Sequence, residues 1–96
     1  MEKRAVERIP SFFNAKLFYN NYFWDAFILN ISQNGIYFGA KAYLLSGLNI
    51  DISIPLESTE LKVPFMIVRI AETYRFGAEL LSPSQEYIKF IHSRID

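Results

Sequence analysis

Along most of the chain, apolar and polar positions alternate with the period of two that a half-buried strand requires. The clearest run is LNIDISIPL. There Leu48, Ile50, Ile52 and Ile54 alternate with Asn49, Asp51 and Ser53. Pro55 ends it, because proline has no N–H to give the ladder. ELKVPFMIVRIA sets Leu61, Val63, Phe65 and Ile67 on one face, and then Arg69 falls where an apolar residue is due. A bulge or barrel bend would account for that slip of phase. YRFGAEL turns Tyr74, Phe76, Ala78 and Leu80 inward against Arg75 and Glu79, and the short AET before it suits a hairpin. Upstream, NAKLFYN is a strand closed by Asn20 and Asn21. FWDAFILNI is apolar on both faces, as a well-covered strand would be, and GIYFGA follows it.

Near the end the period changes to that of a helix. Tyr87, Ile88, Ile91 and Ile95 form an apolar stripe. Ser82 reads as the N-cap, Pro83 as the first helical residue and Gln85 as the partner in a capping box, which predicts a helix over about 83–95. Roughly six strands with no helices between them require antiparallel connections. Such a set closes most easily into a barrel, which removes exposed edges, and the terminal helix would cover the open side. The expected architecture is all-β: a six-stranded antiparallel β-barrel with a C-terminal α-helix. Residues 1–10 form a charged arm, with Glu2, Lys3, Arg4, Glu7 and Arg8 before Pro10, which biases Ile9 toward an extended backbone. Residues 11–96 form the barrel and its closing helix.

Composition narrows the function. With 96 residues the chain fits one domain, and 51% hydrophobic content marks it as folded. It has no cysteine, so neither disulfides nor thiolate metal sites are available. The formal net charge is zero, which counts against general nucleic-acid binding, where phosphate neutralisation supplies much of the affinity. No apolar run approaches the roughly 20 residues of a membrane span, and no signal-peptide core follows the charged start. A cytoplasmic protein is expected. The single histidine, His92, falls near the polar side of the helix. Without a triad, a zinc ligand set or a phosphate-cradling glycine loop, an enzyme is not expected. Most aromatics of FF (12–13), FYNNYFW (18–24) and IYF (36–38) are expected in the core. Tyr19, Tyr22 and Phe23, around the Asn-Asn turn, are the candidates for an exposed partner surface.

Two short motifs remain. In NISQNG, Asn34-Gly35 suits a type I′ hairpin, whose central residues both need positive φ. That leaves Asn30 and Ser32 unexplained. At alternate positions of one strand, they would face the same way and form a shelf for a polar ligand. In RAVER, Arg4 and Arg8 stand four residues apart, just before IP. Arginine offers a planar fork for phosphate or guanine and a face that stacks on bases.

Together RAVER resembles RxxxR, and NISQNG resembles [D/N]xSxxG. These are the two signature motifs of PilZ domains, bacterial receptors for cyclic di-GMP. The order, the separation and the strand between them agree with the family. The resemblance continues through GLNIDISIPL and YRFGAELLSPSQEYIKFI, so it covers nearly the whole chain. It implies a barrel of the split-barrel type. It also implies a cyclic di-GMP site made by Arg4, Arg8, Asn30, Ser32 and Gly35, with no cofactor. On the same basis, the arm orders over the ligand and signals to an effector protein, in a monomer or homodimer. Asn30 stands where the family also uses Asp, replacing a charged acceptor with a neutral one. The alternative is a PilZ-like interaction module that binds no nucleotide. A small barrel that stacks single-stranded nucleic acid on its aromatics is a third reading, weakened by the zero net charge.

Overall fold

The computed structural model describes residues 9–95. Six strands come first: β1 (Ile9–Tyr19), β2 (Tyr22–Ile31), β3 (Gly35–Ala40), β4 (Asn49–Pro55), β5 (Glu60–Glu72) and β6 (Arg75–Leu80). One helix, α1 (Gln85–Ile95), follows. The strands close into the antiparallel barrel that the alternation predicted, and their order around it is β1-β2-β3-β6-β5-β4. The alternating residues fill its interior: Ile50, Ile52, Ile54, Val63, Phe65 and Ile67 are all buried. Leu17, Ile28 and Phe38 meet them from the other wall.

The seam between β1 and β4 is short, with only Lys16, Leu17 and Phe18 paired to Ser53, Ile52 and Asp51. The first half of β1 lacks a β4 partner and is covered by α1 instead. Phe13 meets Phe90 edge-on at 5.6 Å. The Arg94 Nε donates to Ser11 Oγ at 2.7 Å, and its guanidinium lies over the Phe13 ring at 4.7 Å.

Several local expectations are corrected. β1 starts at Ile9, so Ile9 and Pro10 belong to the barrel wall rather than to a free arm. The left-handed turn falls at Asn20 (φ 55°) and Asn21 (φ 68°), between the paired residues Tyr19 and Tyr22. Among the described residues, neither Asn34 nor Gly35 has positive φ, so NISQNG does not turn as a type I′ pair. β2 is covered on one face only, with Phe23 and Phe27 exposed. Phe12 and Tyr22 are exposed as well, so the aromatic clusters are less interior than their sequence suggests. β5 runs through Ala71 and Glu72, so the hairpin turns at Thr73 and Tyr74. There Tyr74 takes φ 64° and faces solvent instead of the core. The helix starts two residues later than predicted. Its cap is Ser84, whose Oγ accepts from the Tyr87 N–H at 3.1 Å; Ser82 and Pro83 lie before it.

The phase slip at Arg69 does mark a bulge. Ile67 pairs with Ala78 and Arg69 with Gly77, leaving Val68 as the extra residue. Among the described residues, no helix is long and apolar enough to cross a membrane.

Candidate functional site

A second bulge sits in β2. Ile28 pairs with Phe38 and Asn30 with Tyr37, so Leu29 is extra. A bulge bends its strand and re-aims the side chains beyond it. Here the result is a row of register partners across five strands. Pro10 of β1 stands opposite Asn30 of β2, Asn30 opposite Tyr37 of β3, Tyr37 opposite Gly77 of β6, and Gly77 opposite Arg69 of β5. Partners in antiparallel register share a face. Pro10 and Arg69 are exposed at the two ends, so the row lies on the outside of the barrel. At its far end the Arg69 guanidinium covers the Tyr37 ring at 5.6 Å, reaching across Gly77, which has no side chain to block it.

Ser32 is just past the end of β2, in the turn itself, and does not continue the strand alternation from Asn30. It pairs with Gly35 around the two bend residues Gln33 and Asn34. The Ser32 N–H donates to the Gly35 carbonyl at 2.9 Å, and the Gly35 N–H donates to Ser32 Oγ at 3.2 Å. The turn is also held from outside. The Leu80 N–H donates to the Asn34 carbonyl at 2.8 Å. The fully buried Tyr87 of α1 donates its hydroxyl to the Gly35 carbonyl at 2.9 Å. Burial pushes the Tyr87 phenol well above its ordinary range, and the backbone N–H of Ser32 pulls weakly the other way. Gly35 is required for space: a Cβ there would stand 2.4 Å from the Ala78 carbonyl oxygen.

Two hollows flank this turn. One, of about 390 Å³, lies toward the helix and is lined by Gln33, Asn34, Leu81 and Ile88. The other, of about 170 Å³, lies toward β5 and β6 and is lined by Ser32, Asn34, Gly35, Arg69 and Glu79. The structure thus brings Asn30, Ser32 and Gly35 to one corner of the barrel, although Asn30 and Ser32 are not on one strand. Arg4 and Arg8 lie outside the described residues. In sequence, Arg8 comes directly before Ile9, the partner of Ile31.

Periodicity turned Glu79 outward and put Tyr87 on the apolar stripe of the helix, but it tied neither of them, nor Tyr37 or Arg69, to the turn. Only the slip at Arg69 gave a sign. His92 is exposed, and no cluster of metal-ligating side chains exists among the described residues. Of the suggested partner-surface residues, Tyr22 and Phe23 are exposed and Tyr19 is half-buried.

Compared with known families, residues 2–93 match the family model of the PilZ domain. No curated protein matches the chain at a significant level.

Proposed function

The chain belongs to the PilZ domain family, and from that premise we propose that it is a cytoplasmic cyclic di-GMP receptor that passes the binding event to a partner protein. One observation supports this most. Asn30 is paired with Pro10, so the polar turn and the strand that continues from RAVER meet at one corner.

In this reading Arg8 and Arg4 approach the ligand from the arm. Their guanidinium groups take phosphate oxygens and the O6 and N7 edge of guanine, and stack on the bases. The Asn30 amide holds a guanine edge by neutral hydrogen bonds. The Ser32 hydroxyl accepts the Gly35 N–H with one lone pair and has a second to offer. Gly35 keeps the turn close against β6, where a side chain would push it away. Binding shifts the population of arm positions, and the reordered arm offers a new surface to the partner. The family's domains act as binding modules, so no reaction is assigned.

A second reading is an interaction module without a nucleotide. The exposed Phe12 and Phe27, stacked at 6.4 Å, favour it as a partner surface. Calorimetric titration separates the two. Cyclic di-GMP should bind saturably, GTP and cyclic AMP should not, and Arg8→Ala should lose binding by at least tenfold, as expected for a charged hydrogen bond worth about 1.5–3 kcal/mol. A folded wild-type protein that gives no heat and no ligand-dependent melting shift would overturn the receptor reading and favour the second.

A further inference from the structure

We propose that Arg69 and Tyr37 form a stacking platform for a purine base, extending the site beyond its two motifs to the far end of the row. The inference rests on the cyclic di-GMP reading above and adds a subsite to it. Three observations carry it. First, two separate bulges, at Leu29 and at Val68, bring Asn30 and Arg69 into a single row. Without the bulge in β5, Val68 would stand opposite Gly77. Second, the residue that separates Arg69 from Tyr37 in the row is Gly77, which has no side chain. The guanidinium lies across this gap, over the ring. Third, Arg69 and Glu79 line the same hollow as Ser32 and Gly35. A purine there meets a flat cation for its π-face. It also meets a carboxylate that can accept from the N1–H and N2–H₂ of guanine.

Arginine suits this place because its planar, weakly hydrated guanidinium stacks on one flat group while still presenting donors at its edge. Lysine would supply the charge without the plane. The proposed order is Tyr37, Arg69, base, with each flat group covering the next.

The test is titration of the full chain with cyclic di-GMP, using wild type, Arg69→Ala, Arg69→Lys and Lys41→Ala. Lys41 is an exposed cation outside the hollow and controls for net charge. Thermal melting of each variant checks the fold. Arg69→Ala is expected to weaken binding about tenfold, the scale of losing one stacking partner. Arg69→Lys should recover little of that loss, and Lys41→Ala should bind as wild type. Equal affinity in wild type and Arg69→Ala overturns the platform and leaves the receptor reading standing. Full recovery by lysine, or equal weakening by Lys41→Ala, reduces Arg69 to a diffuse charge and also overturns it. Failure of the wild type itself to bind overturns the receptor reading and the platform with it.

Discussion

Gly35 and Gly77 both lie in the β3–β6 ladder, two rungs apart, and they are glycines for different reasons. At Gly35 an added methyl would collide with backbone, 2.4 Å from the Ala78 carbonyl oxygen, and backbone cannot swing aside as a side-chain end can. At Gly77 the nearest atoms belong to the Arg69 side chain, at 3.6 and 3.7 Å, which is ordinary contact. Gly35→Ala is therefore expected to cost about 2 kcal/mol, the usual scale of forced overpacking, and to lower the melting temperature by about 10 °C. Gly77→Ala should melt near wild type. Equal melting of all three proteins would show that β3 and β6 can part at no cost. Sequence alone pointed to Gly35 but gave the wrong reason. Asn-Gly suggested positive φ, yet the chain uses that conformation at Asn20 and Asn21, a pair with no glycine. Close approach between strands distant in sequence leaves no trace in a local dipeptide.

At the scale of elements, α1 holds the signature turn through one buried hydrogen bond, from Tyr87 to Gly35. The burial of the Tyr87 phenol gives the turn a pH signature. Burial raises the folded-state phenol above its ordinary value near 10. As pH climbs past about 10, the unfolded chain gives up the Tyr87 proton while the folded chain keeps it. Stability from this group is thus complete below about pH 10 and declines as pH rises beyond it. Tyr87→Phe removes the titration and one hydrogen bond, costing about 1 kcal/mol at neutral pH. Melting curves between about pH 9 and 11 should fall more steeply for wild type than for the variant. Parallel curves would mean that the phenol is not held as described.

The strands β4, β5 and β6 were legible because alternation is the mark of one covered face. The helix was legible as an element but not at its first turn. Ser82 and Ser84 flank a proline, and both resemble caps. Packing of Tyr87 into the barrel selects Ser84. The site was legible where its residues are neighbours in sequence, as in NISQNG. It was not legible where register across five strands assembles it, as with Tyr37 and Arg69.

On the scale of the whole molecule, the barrel closes through a short β1–β4 seam, and the helix covers the half of β1 that the seam leaves unpaired with β4. The Arg94–Ser11 bond fastens the last turn of the helix to the first turn-length of β1, at 2.7 Å and across 83 residues of sequence. The two described ends of the chain therefore leave the fold from nearly the same point. A module with adjoining ends can be spliced into a loop of another protein without forcing the host's strands apart. It can also be rewired. If the two described ends, at residues 9 and 95, are joined by a short flexible bridge and the chain is reopened in the exposed loop between Glu57 and Ser58, the permuted protein should melt cooperatively near the wild-type temperature. A permutant that melts without cooperativity would show that folding depends on which strand is made first. In architectural terms this barrel resembles a clasp more than a can: its lid and its first wall are hooked together, and whatever chain enters beside the hook also leaves beside it.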